Sequence, residues 1–157
     1  MQIKIKTIEE NKKKSEVVES ILEQLPEWFG NEIMLKEYVE GVKKNSLFGA
    51  FNEVEDCIGF VSLKTYYDNT GDIYVCGVLP QYHNQGIGKK IFSYVEEFLK
   101  NLDHKYLIVK TLSDSVDYKP YNLTRAFYER IGFKKLITLT EMWDEDNPCL
   151  IMIKNLN

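Results

Sequence analysis

Polar and apolar side chains alternate over residues 2–8, which predicts a first strand with one exposed face. After a polar break at 11–14, Val17, Val18, Ile21, Leu22 and Leu25 recur at helical spacing, with Ser15 as N-cap and Pro26 as stop. Trp28, Phe29 and Gly30 make a short connection, and Leu35, Tyr38, Val39 and Val42 predict a second helix starting near Asn31. Three strands follow over 46–52, 57–66 and 72–78, parted by turn residues at 53–56 and 68–71. Gly86 opens a helix running to about Asn101, with Ile91, Val95, Phe98 and Leu102 on its apolar face. A strand over 105–111, a polar loop over 113–120 and a helix over 122–131 come next, with Gly132 at the C′ position. Strands over 133–140 and 149–153 close the chain. This order predicts an α/β fold: a mixed sheet with helices packed on it and a right-handed crossover around the glycine turn. No repeat, low-complexity tract or linker interrupts it, so 1–157 is expected to be a single domain.

The turn between the third of those strands and its helix carries the chemistry. Gly86 and Gly88 allow close approach of a ligand to the backbone, and the first helical N–H groups lack intrahelical partners. The combination is an anion site. A P-loop would need G-x-x-x-x-G-K-[ST], whereas Gly86-Ile87-Gly88-Lys89-Lys90 has other spacing and no hydroxyl. A dinucleotide fingerprint would need a third glycine where Ile91 stands. Both are excluded.

Composition narrows the partners. A formal net charge of -4 argues against general nucleic-acid binding. Cys57, Cys76 and Cys149 form no CxxC pair, so neither a disulfide framework nor a zinc site is expected, and no metal is assigned. The start of the chain has no apolar leader and no run reaches membrane-spanning length, which predicts a soluble cytoplasmic protein without a membrane partner.

Two segments resemble one known family. Val78-x-Pro80-x-Tyr82-x-x-Gln85-Gly86-x-Gly88 is similar to the acyl-CoA pyrophosphate loop of the GNAT superfamily of N-acetyltransferases. Downstream, Phe127-Tyr128-Glu129-Arg130-Ile131-Gly132-Phe133 resembles the second signature of that superfamily, a helix ending in Y-x-x-x-G-F. The resemblance spans essentially the whole chain. It implies a GNAT-like mixed, mostly antiparallel sheet of about seven strands flanked by four helices. It also implies acetyl-CoA as co-substrate, a small-molecule or peptide amine as acceptor, and a monomer or homodimer. His83, Asn84, Gln85, Gly86, Ile87, Gly88 and Lys89 would hold the pyrophosphate, mainly through backbone N–H groups. The sequence departs from the family in having His83 where Arg or Gln is usual, and Tyr121 and Thr124 where Asn and Ala are usual. Asn122, one place displaced, has two readings: a cofactor contact or a helix N-cap.

Acetylating an amine requires a neutral amine, a polarised carbonyl and a stabilised leaving thiolate. By resemblance, Tyr128 is the general acid toward the thiolate, and the Val78 N–H holds the thioester carbonyl. Asp72, six residues before Val78, is the candidate base, with a turn aspartate as the plainer reading. Period-two alternation would put Asp72, Tyr74, Cys76 and Val78 on one face. Cys76 invites an acyl-enzyme route, but no His is near it in sequence, and direct transfer in a ternary complex is favoured. By the same resemblance, Trp28, Phe29, Tyr74 and Trp143, with the acidic run over 141–146, are candidates for an acceptor pocket; the alternative is that the aromatics cap the core and the acidic run is a solvated turn. A catalytically silent acyl-CoA-binding or regulatory module is the rival function.

Overall fold

The computed structural model describes residues 2–157. Its elements run β1 (Lys4–Ile8), α1 (Asn11–Leu22), α2 (Pro26–Phe29), α3 (Glu32–Gly41), β2 (Ser46–Phe51), β3 (Cys57–Tyr66), β4 (Thr70–Val78), α4 (Ile87–Asn101), β5 (Tyr106–Leu112), α5 (Lys119–Arg130), β6 (Lys134–Asp144) and β7 (Asn147–Asn155). The strands form one sheet in the order β1-β2-β3-β4-β5-β7-β6. Only β4 and β5 pair in parallel, joined through α4; every other neighbouring pair is antiparallel.

Each face of the sheet has its own core. Under α4 and α5, Ile87, Ile91, Phe92, Val95 and Leu99 meet Phe48, Val61, Ile73, Leu107, Val109 and Met152. Under α1 and α3, Val18, Ile21, Leu22 and Leu35 meet Leu47, Phe60 and Val75. The α4 stripe therefore ends at Leu99. Leu102, expected in it, lies past the helix and is exposed.

Several boundaries differ from the sequence expectation. Ser15 is not an N-cap: α1 begins at Asn11, and the Ser15 hydroxyl donates to the Lys12 carbonyl. The supposed polar break is the helix's first turn, which is stable because Lys14 buries its stem and its Nζ donates to the Asn45 carbonyl at 2.7 Å. Pro26 stops α1 but also starts α2, a single turn that makes five helices rather than four. Asn31 does cap α3, accepting from the N–H groups of Ile33 and Met34. The helix expected over 122–131 begins at Lys119 with Pro120 in its first turn, which removes the N-cap role from Asn122. β6 runs on to Asp144, so most of the acidic run is strand rather than turn.

The consequential departure lies in β4. Leu63 pairs with Ile73 and Ser62 with Val75, leaving Tyr74 as the extra residue of a bulge. A bulge resets which face a side chain points to. Tyr74 and Val75 both pack toward α1 and α3, while Cys76 and Val78 pack toward α4 and α5. Asp72 is in register with Ile108, one step from the Ile73–Val109 pair of the α4 core, and so faces the other way. The alternation that would unite Asp72, Tyr74, Cys76 and Val78 on one face fails at Tyr74.

Phe92 joins α4 to α5 through edge-on or tilted contacts with Phe127, Tyr128 and Phe133 at 5.6, 5.9 and 6.1 Å. Phe92→Ala should lower the unfolding free energy by about 3–5 kcal/mol, the usual cost of emptying an aromatic core site. Urea denaturation measures it, and a loss below about 1 kcal/mol would show that α5 does not depend on this contact.

Candidate active site

The site is built around a place where the sheet stops pairing. β4 and β5 are in register only from Thr70–Tyr106 to Ile73–Val109, while β5 continues alongside β7 as far as Leu112 and Cys149. The remainder of β4 therefore borders a gap at the carboxyl ends of the two parallel strands, the position where open α/β sheets take ligands. Gly59 pairs with Val78, and the Leu79 N–H donates to the Ile58 carbonyl at 2.9 Å. That pattern makes Gly59–Val78 a pair whose own N–H and C=O groups point away from β3. The Val78 N–H thus faces the gap. The Val78 carbonyl accepts from the His83 ring Nε2 at 2.7 Å.

The turn after β4 presents its backbone to solvent. Asn84 and Gly86 have φ of 61° and 80°, and Gly86 caps α4 in the left-handed conformation. The first helical bond is Lys90 N–H to the Gly86 carbonyl. Among the described residues, none of the N–H groups of Asn84, Gln85, Gly86, Ile87, Gly88 and Lys89 donates to another group of the chain. A Cβ added at Gly86 would meet open space. Free donors at a helix start, with room before them, fit a pyrophosphate. Gly88 has another reason to be glycine: its Cβ would sit 3.0 Å from the Phe127 ring, so it allows α4 to pack on α5. His83 is exposed, and its Nε2 is committed to the strand carbonyl rather than to an anion.

Tyr128 lies at the inner side of the gap, buried among Phe92, Phe127 and Phe133. Its Oη is 3.5 Å from Cys76 Sγ. Burial, reinforced by Cys76, pushes the phenol well above the ordinary tyrosine value, and burial also raises the Cys76 thiol. Tyr121 is pushed up to about 12, and Tyr38 and Tyr74 are raised too, in each case chiefly by burial. This is a cluster of neutral phenols.

On the other face, Asp72 is 2% exposed. Its Oδ2 pairs with Lys110 Nζ at 2.5 Å, and its Oδ1 is buried without a partner. Phe29, Tyr38 and Tyr74 form a chain of edge-on rings at 5.8 and 5.3 Å, with Lys64 Nζ 4.5 Å from the Tyr74 ring centre. Trp143 stands exposed on β6, outside the aromatic pairs seen among the described residues. The Asn122 side chain is held by Asp117 and Arg125, and the buried Arg125 donates to the Leu112 carbonyl. It braces the loop before α5. Sequence reasoning missed Lys110 and Tyr38, which carry no local signal.

The model of the acetyltransferase (GNAT) family matches residues 15–133. The chain belongs to this family. Three solved structures illustrate the similarity of fold. A protein assigned to the GNAT acetyltransferases of Desulfovibrio desulfuricans has 15% identity and a TM-score of 0.84, over 99% of this chain and 100% of that one. An aminoglycoside 6'-N-acetyltransferase complexed with coenzyme A has 16% identity and a TM-score of 0.76, over 98% and 97%. A GNAT family acetyltransferase from Elizabethkingia anophelis with acetyl-CoA bound has 17% identity and a TM-score of 0.74, also over 98% and 97%. No curated protein matches the sequence. Among the described residues of this GNAT chain, no helix is long and apolar enough to cross a membrane.

Gly86→Asp would place a carboxylate among the free N–H donors. Calorimetry should then show coenzyme A binding weakened at least about tenfold, since the added carboxylate repels the pyrophosphate. Unchanged affinity would move the pyrophosphate elsewhere.

Proposed function

We propose that this protein transfers an acetyl group from acetyl-CoA directly to a primary amine, with both substrates bound together. The observation that carries the reading is the free Val78 N–H. It faces a gap with the anion-binding turn at one end and the Tyr128 hydroxyl within it. Acetyl-CoA, when bound, supplies an acetyl group already activated as a thioester. The chain supplies position and electrostatics.

The backbone from Asn84 to Lys89 binds the pyrophosphate. The Val78 N–H donates to the acyl oxygen as negative charge grows there, held in place because its strand is fixed by β3 and its carbonyl by His83. A C–N bond forms as the C–S bond breaks; the amine loses a proton and the departing thiolate gains one. Tyr128 is a weaker acid here than an ordinary tyrosine, so it cannot yield its proton outright to a thiolate near 8.5. It acts as a hydrogen-bond donor that stabilises the thiolate. One such bond to a charged group is worth about 1.5–3 kcal/mol, or roughly 10- to 100-fold in rate.

Asp72 is the candidate proton acceptor. Lys110 holds one oxygen, and Oδ1, buried without a partner, belongs to a residue on the Tyr74 face of the sheet. The amine approaches from that face, beside α2 and α3, where Phe29, Tyr38 and Tyr74 supply apolar contact. Cys76 is kept protonated by burial and faces Tyr128 rather than a base, which supports direct transfer over an acyl-cysteine. An aminoglycoside 6'-N-acetyltransferase and a ribosomal-protein alanine N-acetyltransferase among the similar folds both act on amines, in keeping with a small-molecule or peptide acceptor.

Release of free thiol from acetyl-CoA across amine classes tests the reading directly; an absence of turnover with every class, despite coenzyme A binding, would favour a silent binding module. With a working acceptor, Tyr128→Phe should leave coenzyme A affinity within about twofold and lower kcat by about 10- to 100-fold. Because its phenol stays protonated, the wild-type kcat profile should show no falling limb below about pH 10. A separate test concerns the base. Asp72→Asn should cost about 3 kcal/mol of stability by stranding the Lys110 ammonium, and Asp72→Asn with Lys110→Met should recover most of it. If Asp72 takes the proton, the double variant stays slow; recovery of rate along with stability would reduce the pair to a structural one.

A further inference from the structure

The second signature departs from the family at Tyr121 and Thr124, and both departures meet the same residue. The Trp28 indole N–H donates to Thr124 Oγ1 at 3.0 Å and to the Pro120 carbonyl at 3.3 Å. The Tyr121 hydroxyl donates to the Trp28 carbonyl at 3.3 Å, and the Tyr118 hydroxyl donates to the neighbouring Glu27 carbonyl at 2.7 Å. On its other side the Trp28 ring stands edge-on to His83, with centroids 6.0 Å apart and planes at 81°. His83 in turn holds the Val78 carbonyl.

These contacts form a continuous bridge across the open end of the sheet. One end is the turn that follows β4. The other is the first turns of α5, which follows β5. Between them no ladder joins the two strands beyond Ile73 and Val109. Trp28 is only half-buried and its single donor is shared between two acceptors on α5. It has none left for an amine substrate.

We infer that Trp28 is a positioning residue that clamps α2 between the cofactor turn and α5, with Tyr121 and Thr124 as its socket, so that the width of the gap is set from the acceptor side. A small residue such as Ala at 124 could not accept the indole N–H, and Asn at 121 would not extend to the Trp28 carbonyl as the phenol does. Occupation of the acceptor side therefore bears on the cofactor turn through Trp28 and His83. Trp28, placed by sequence among substrate contacts, acts through other residues instead.

The test is a double-mutant cycle. Trp28→Phe keeps an aromatic ring, though a smaller one, and removes the donor; Thr124→Val keeps the shape and removes the acceptor. Each should weaken coenzyme A binding about three- to tenfold in calorimetry, while the pair together is no worse than the more damaging single variant. Thr124→Ser should behave as wild type. Circular dichroism and thermal unfolding confirm that each variant is folded.

The calorimetric arm rests on the acetyl-transfer reading; amide hydrogen exchange does not. In Trp28→Phe, exchange should quicken at Tyr82 and His83 on the cofactor side and at Asn122 in α5, whose N–H groups bond to Leu79, Pro80 and Tyr118 carbonyls. If wild type binds no coenzyme A, acetyl transfer fails while the exchange result still decides the clamp. Folded variants with unchanged protection at both ends, or with additive losses of affinity, would overturn it.

Discussion

The parting of β4 from β5 after Ile73 and Val109 is the constraint on which the site depends. A sheet that loses its ladder in mid-course leaves main-chain N–H and C=O groups without partners. An unpaired buried group costs about 1–3 kcal/mol, so such an opening persists only where the flanking structure holds it or a ligand fills it. Both conditions are approached here. β5 is held by β7 as far as Leu112, and Arg125 bonds the Leu112 carbonyl. β4 is held by β3, and His83 bonds the Val78 carbonyl. The Val78 N–H is left facing the gap.

The Tyr74 bulge divides labour between the two faces of the sheet. It sends Cys76 and Val78 toward Tyr128 and the α4 core, while Tyr74, like Asp72, faces the side of α1 and α3. Without the extra residue, a strict period of two would have put Asp72 beside Val78 on the cofactor side. With it, the carboxylate lies on the Tyr74 face of the sheet, away from Tyr128. Under the proposed mechanism, one inserted residue separates proton removal from thiol departure.

Much of this was legible in the sequence. The order of elements along the chain, the α4 turn and the Tyr128 helix each rest on local patterns: alternation, helical spacing, and glycines where φ is positive or packing is close. The errors share one cause, which is that tertiary contacts overruled local signals. The run over 11–14 looks like a break until Lys14 is seen to bury its stem beneath the Asn45 carbonyl. Leu102 fits the helical stripe in spacing but lies past the last turn. The bulge has no sequence mark, since Tyr74 is an ordinary strand residue, and with it went the facing of Asp72. Lys110 was invisible for the same reason: its importance comes from parallel register across a helical crossover. His83, Tyr121 and Thr124 were visible as departures but not as a set, because their common partner, Trp28, lies far away in sequence.

That set bears on how an acidic chain with few cations at its turn holds a polyanion. His83 spends its donor on the strand, leaving the six backbone N–H groups of Asn84, Gln85, Gly86, Ile87, Gly88 and Lys89 as the free donors of the turn. Backbone donors act only when they converge, so affinity resides in the left-handed turns at Asn84 and Gly86 and in the anchoring of Ile87 in the core. A guanidinium could tolerate a loose turn by reaching for the phosphate; a fixed set of N–H groups cannot. Replacing a mobile charge by oriented amides therefore shifts the burden of binding to whatever keeps the turn in place. In this chain that support comes from Trp28, held in turn by α5.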